Sequence, residues 1–173
     1  MLAKLTLVLG GASSGKSAFA EQLVVNTRAP RVYLATAQAF DDEMRLKIAQ
    51  HLKMRGSDWR TVETPLGAAD ALAKVAPNEV VLLDCATMWL SNHLLAESDI
   101  DGETNRLLAA LQSCLGQVVV VSNEVGLDIV PDNALARRFR DAQGKLNQKI
   151  AAQADAAVLV VAGLPLTLKG TLP

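Results

Sequence analysis

Gly10-Gly11-Ala12-Ser13-Ser14-Gly15-Lys16-Ser17 has the spacing G-x-x-x-x-G-K-S. It follows the apolar run Leu5 to Leu9 and precedes the helix-forming stretch Ala18 to Leu23. A strand, a glycine-rich turn and a helix in that order make a phosphate cradle. The glycines let backbone N–H groups turn inward, and the helix N-terminus adds the positive end of its dipole. Within such a loop Lys16 reaches the β- and γ-phosphates, and the Ser17 hydroxyl is a ligand for Mg²⁺. The expected ligand is ATP or GTP.

Moving outward, four more aliphatic runs repeat the character of Leu5 to Leu9: Arg31 to Ala35, Val80 to Asp84, Gln117 to Ser122 and Ala156 to Val161. Their apolarity is continuous rather than alternating, as strands buried on both faces require. Helical patterns fill the intervals, at Gly15 to Thr27, Asp41 to Arg55, Leu66 to Ala76, Thr87 to Ala96, Glu103 to Leu115 and Asn133 to Ala154. The last carries Leu135, Phe139, Ala142, Leu146 and Ile150 as one apolar stripe, with Arg137, Arg138, Arg140 and Asp141 opposite. The expected fold is α/β, a three-layer P-loop NTPase of RecA-like type with a mostly parallel central sheet between helices. Its 173 residues suit one domain.

Ligands of such sheets gather at the carboxyl ends of the strands. Asp84 closes a buried strand there, where a carboxylate needs a cation or donors to face, so it is a second candidate Mg²⁺ ligand. The segments after the strands are Thr36-Ala37-Gln38, Cys85-Ala86-Thr87 and Asn123-Glu124-Val125-Gly126. In the second helix, Asp41-Asp42-Glu43 at the start and Lys53 and Arg55 at the end both complement the macrodipole. Lys47, His51 and Arg55 recur every four residues and so share an arc of about 80°, an imidazole between two cations. That suits a phosphate and a nucleophile, although a single histidine on a charged helix face is more often merely solvated. His93 reads as a surface or cap residue.

Half of the residues are hydrophobic, a fifth are charged and the net charge is −1, which gives no field to attract a nucleic-acid backbone. The apolar start is too short for a spanning helix and has no cleavage-site pattern, so no membrane insertion and a cytoplasmic location are expected. Cys85 and Cys114 stand apart from any CxxC or His/Cys cluster and suggest neither disulfide nor zinc.

Several segments together resemble one family, the bifunctional adenosylcobinamide kinases / adenosylcobinamide-phosphate guanylyltransferases. These are GGASSGKS at 10–17, YLAT at 33–36, DDEM at 41–44, WRTVE at 59–63, LLDC at 82–85, MWLSN at 88–92, SNEVG at 122–126, IVP at 129–131, RFRD at 138–141, LNQ at 146–148 and LPLTLKG at 164–170. The resemblance runs through nearly the entire chain in consistent order. It implies two reactions: phosphorylation of the aminopropanol hydroxyl of adenosylcobinamide, and transfer of GMP from GTP to that phosphate, giving adenosylcobinamide-GDP. It implies that a histidine carries the guanylyl group, here His51, with Lys47 and Arg55 neutralising charge on the α-phosphate. It also implies nucleotide contacts from residues 10–17, from Ala35, Thr36 and Ala37, from Leu52, Lys53, Met54 and Arg55, and from Glu63 and Asp84. A corrinoid substrate and a homo-oligomer, with a trimer as the suggested state, belong to the same expectation.

The chain departs from the family pattern at Ser13, where many members carry Arg, at Lys47, where Arg is common, and at Asp84, where some use Glu. None of these touches Lys16, Ser17 or His51. Two rivals stand beside this reading. A single-activity small-molecule kinase would need only the P-loop and Asp84, and leaves His51 without a purpose. A regulatory GTPase would be expected to carry an N-K-x-D guanine-reading motif, and none occurs.

Overall fold

The computed structural model describes residues 1–38 and 58–173. Seven strands form one sheet: β1 (Leu5–Gly10), β2 (Arg31–Ala35), β3 (Trp59–Glu63), β4 (Val80–Asp84), β5 (Gln117–Asn123), β6 (Ala156–Val161) and β7 (Leu164–Lys169). Their order across the sheet is β3-β2-β4-β5-β1-β6-β7. The first six are parallel, and β7 runs antiparallel to β6. The described helices are α1 (Lys16–Asn26), α2 (Ala68–Leu72), α3 (Ala86–Leu95), α4 (Ile100–Ser113) and α5 (Ala134–Gln153).

The aliphatic runs become central strands because each has a helix layer on both sides. Val8, Leu82, Val119, Val121 and Val158 pack with Ala20, Leu23 and Val24 of α1 on one face. Their neighbours Leu7, Leu9, Leu83, Val118 and Val120 pack with Trp89, Leu90, Leu107, Leu111, Leu146 and Ile150 of α3, α4 and α5 on the other. Each fully buried aliphatic side chain contributes about 1.5–3 kcal/mol, so these two layers drive the fold.

Three expectations are corrected. The helix read over Leu66 to Ala76 shortens to α2, because Lys74 and Val75 turn into three-residue hydrogen bonds to Ala71 and Leu72 just ahead of Pro77. Leu135 does not join the α5 stripe: it lies 57% exposed, while Gln143 and Asn147 take buried positions beside Leu146 and Ile150. His93 is buried, its ring 4.5 Å from that of Trp89. Its Nε2 faces the Leu66 carbonyl at 3.2 Å and its Nδ1 the Ser98 hydroxyl at 3.0 Å. Because a carbonyl only accepts, Nε2 is the donor to Leu66.

β7 lies beyond the five runs because Pro165 interrupts it and nothing buries it: every residue from Val161 to Gly170 is exposed. A two-residue turn, with Ala162 at φ 52° and Gly163 at φ 78°, folds it back on β6, since positive φ at both positions matches the twist of a tight hairpin.

Candidate active site

The carboxyl ends of the parallel strands converge on one edge of the sheet. β1 ends at Gly10, and after five intervening residues α1 begins at Lys16. Gly10 must be glycine for packing reasons: a Cβ there would collide with the Ser14 hydroxyl and sit 2.8 Å from the Val160 carbonyl. Gly15 must be glycine for conformational ones, with φ 91° and a Cβ position 3.1 Å from the Cα of Gly163. The loop is tied down at both shoulders. Glu124 N–H donates to the Gly10 carbonyl at 3.0 Å, and Gly163 N–H donates to the Ser14 carbonyl at 2.8 Å. Lys16 folds over the loop, its Nζ 3.0 Å from the Gly11 carbonyl it donates to. Ala12, Ser13 and Gly15 are exposed, and Gly11, Ser14, Lys16 and Ser17 are half-buried, so the rim faces outward.

Register sets the rest of the edge. Glu63, Ala35 and Asp84 are paired across β3, β2 and β4, and Asp84 is paired with Val121 of β5. Partners in register face the same side of a sheet, and Val121 belongs to the α1 face, so Asp84 lies on the side that carries Lys16 and Ser17. Tyr33, two residues before Ala35, donates its hydroxyl to Asp84 Oδ2 at 2.9 Å from that same face. Glu63 is exposed at the end of β3.

Thr36 is buried and structural. Its hydroxyl donates to the Cys85 carbonyl and accepts from Cys85 N–H, both at 2.8 Å, and its carbonyl accepts from Asn92 Nδ2 at 2.7 Å. This ties the β2 exit to the β4 exit, so Ala35, Thr36 and Ala37 hold their place beside Asp84.

Cys85 caps α3, its sulfur accepting from Met88 N–H at 3.4 Å. Burial, and then the negative charge of Asp84, push its thiol up to about 11. It therefore stays protonated at neutral pH and is no nucleophile. Burial likewise raises Cys114.

For Mg²⁺, the donor set fits by chemistry: a carboxylate and a hydroxyl, both hard oxygens, on one face of the edge. No group of three or more His, Cys, Asp or Glu side chains able to hold a metal occurs among the described residues. The helix expected over Asp41 to Arg55, with Lys47, His51, Leu52, Lys53, Met54 and Arg55, falls outside the described residues.

Residue reading passed over a polar network beneath β5. Ser122 donates to Asn147 Oδ1 at 2.6 Å and accepts from Gln143 Nε2 at 2.8 Å. Thr87 Oγ1 accepts from Asn123 N–H at 2.8 Å, and Asn147 Nδ2 donates to the Asn123 carbonyl at 3.0 Å. The only sequence signal for it was four polar residues, Thr87, Ser122, Gln143 and Asn147, in runs otherwise fit for a core.

Three comparisons bear on identity. The sequence profile of the cobinamide kinase / cobinamide phosphate guanyltransferase family matches residues 6–168. The chain is 45% identical to the bifunctional adenosylcobalamin biosynthesis protein CobP of Pseudomonas aeruginosa, across 95% of this chain and 96% of that one. It is 44% identical to the bifunctional adenosylcobalamin biosynthesis protein CobU of Salmonella typhimurium, across 94% and 98%. In fold it is similar to the RadB recombinase, with a TM-score of 0.54 at 18% identity over 91% of this chain and 75% of the other.

Proposed function

Since the chain belongs to the cobinamide kinase / cobinamide phosphate guanyltransferase family, we propose that it phosphorylates the aminopropanol hydroxyl of adenosylcobinamide and then transfers GMP from GTP to the new phosphate. The observation that carries this reading is the anchored loop 10–17 on the same sheet face as Asp84, in a chain matched by the family profile almost from end to end.

In the first reaction the inward N–H groups of Gly11 to Ser17 hold the phosphates, and Lys16 balances charge as the γ-phosphoryl leaves the nucleotide. Ser17 and Asp84 would hold Mg²⁺, which when bound neutralises phosphate charge. Asp84 keeps its orientation through Tyr33. In the second reaction the His51 imidazole attacks the α-phosphorus, pyrophosphate departs, and the resulting phosphoramidate passes its GMP to the corrinoid phosphate. Lys47 and Arg55 would stabilise the α-phosphate. Ala35, Ala37, Leu52, Lys53, Met54, Arg55 and Glu63 would complete the nucleotide contacts, with buried Thr36 contributing by holding Ala35 and Ala37 in place and Glu63 or Asp84 accepting from guanine or ribose.

A homo-oligomer belongs to the same proposal. Leu164, Leu166 and Leu168 on β7, 55–72% exposed, and Leu127, Ile129 and Val130, 66–88% exposed, supply apolar surface for it. No described helix is long and apolar enough to cross a membrane, and the proposed location is the cytoplasm.

Labelled GTP tests the reading. Label at the α-phosphate should become attached to the protein in an acid-labile, base-stable form, and label at the γ-phosphate should not. His51→Ala should lose the adduct and the guanylyl transfer while part of the kinase activity persists. A normal rate of acid-labile adduct formation in His51→Ala would assign the nucleophile to another residue.

A further inference from the structure

The phosphate loop is held from outside by an element that the two transfers leave without a task, the β6–β7 hairpin. β6 is the neighbour of β1 in the sheet, and Val160 pairs in register with Gly10, so the exit of β6 stands beside the start of the loop. The chain then turns at Ala162 and Gly163 and returns as β7, with Val161 paired to Leu164. That pair closes the turn and leaves the N–H of the second turn residue without a ladder partner. The N–H belongs to Gly163, and it donates to the Ser14 carbonyl at 2.8 Å.

Peptide geometry gives this bond a direction. The peptide joining Ser14 to Gly15 is planar and trans, so its C=O and N–H point opposite ways. With the carbonyl held outward on Gly163, the Gly15 N–H is turned to the inside of the loop, where phosphates bind. Packing confines the same two residues. The Ser14 hydroxyl lies against Gly10 where a Cβ would sit, and the Cβ position of Gly15 is 3.1 Å from the Gly163 Cα. Rotating the peptide would therefore displace the turn.

The turn carries strain and is braced at a distance. Ala162, at φ 52°, occupies left-handed backbone that L side chains avoid, and Val161 to Gly170 are all exposed, so burial does not sustain it. Pairing of β7 with β6 does, together with Lys169 at the end of β7. The Lys169 Nζ donates to the Ala151 and Ala152 carbonyls in the last turn of α5, at 3.1 and 2.8 Å. LPLTLKG at 164–170 supplies this returning strand and its lysine. Strain kept in an exposed turn whose tip meets a ligand loop is the pattern of a functional constraint.

We propose that Gly163 is a positioning residue of the phosphate site, its backbone N–H aiming the Gly15 N–H at a bound polyphosphate through the Ser14 carbonyl. This rests on the nucleotide-site reading, and it gives LPLTLKG the role of bracing the hairpin against the loop. Gly163 itself touches no phosphate. It acts by reducing the ordering that the loop undergoes on binding.

The test replaces the amide between Ala162 and Gly163 by an ester in the full-length protein, with glycolic acid at position 163, which deletes the N–H and keeps the backbone shape. Gly163→Asn is its control, because asparagine tolerates positive φ, retains the N–H, and places its Cβ where nothing lies within 4 Å. Affinities for ATP, GTP and inorganic tripolyphosphate are measured beside the melting temperature, tripolyphosphate reporting the phosphate contacts alone. The ester should weaken all three on the order of tenfold, and Gly163→Asn by less than about twofold. A turn with a structural role only would lower the melting temperature and leave the affinities of the folded protein unchanged. That result, or an equal loss in Gly163→Asn, would overturn the assignment. Should the ester protein not fold, amide exchange in wild type decides, because coupling is reciprocal: saturating tripolyphosphate should slow exchange of the Gly163 N–H by up to about tenfold. Exchange unchanged by tripolyphosphate would overturn it equally. No corrinoid enters these measurements. A wild type that binds tripolyphosphate without phosphorylating adenosylcobinamide would reject the family reaction and leave Gly163 to the binding result, whereas one that binds none of the three would reject the site and the assignment together.

Discussion

The two faces of the sheet's carboxyl edge are both polar, but in opposite ways. On the α1 face, among the described residues, Lys16 reaches a loop carbonyl, and Ser17, Asp84 and Asn123 are each half-buried. On the α3–α5 face, Thr87, Ser122, Gln143 and Asn147 are buried and bonded to one another or to the β5 backbone. One face keeps hydrogen-bonding capacity for a ligand, and the other spends it on holding the first in place. Polar groups on the ligand face should therefore contribute to turnover, and those on the buried face to stability, because an orphaned buried partner costs about 1–3 kcal/mol.

Lys16→Ala should break this contrast most visibly on the ligand side. Transition-state stabilisation should fall by about 3 kcal/mol or more in both transfers, with the melting temperature close to wild type. Near-normal kinase turnover from a folded variant would reject the site. Asn147→Ala should do the reverse. It strands the Ser122 hydroxyl, one Gln143 donor and the Asn123 carbonyl, so urea denaturation should show a loss of about 2–3 kcal/mol, while diphosphate affinity of the folded protein stays within about twofold. Unaltered stability would mean that the network is not what fixes β5.

Asp84→Asn sharpens the ligand side. The amide keeps the shape of the carboxylate but loses its charge, so Mg²⁺-dependent turnover should fall by about tenfold and nucleotide binding without metal much less. Equal losses with and without Mg²⁺ would give Asp84 a role in hydroxyl or base recognition instead.

The smallest effect lies away from this edge. Glu79 accepts from Ala76 N–H at 2.8 Å and pairs with Arg60 of β3 at 2.8 Å. The Ala76 hydrogen bond, followed by Arg60, holds its carboxyl below the ordinary value of 4.5. A depressed acid favours folding above its unfolded value and loses that contribution as pH falls through the folded one. Glu79→Gln should therefore cost about 1 kcal/mol at pH 7, and the difference from wild type should vanish below the folded value. A penalty that persists unchanged in acid would trace the effect to packing rather than charge.

Much of this was legible in the residues themselves. Gly10, Gly15, Lys16 and Ser17 define a local loop whose geometry depends on nearby backbone, and continuous runs such as Val80 to Leu83 declare strands buried on both faces. The resemblance of segments from GGASSGKS to LPLTLKG pointed to the family that the comparisons then gave. What required tertiary structure was whatever depends on partners far along the chain. His93 is a core residue because Leu66 and Trp89 reach it, and β7 is a strand because β6 offers an edge. Asn123 stands beside the phosphate loop because β5 enters the sheet between β1 and β4. Periodicity reports which face a residue takes on its own element. Which element covers that face is set by long-range packing, and a string of residues does not encode it locally.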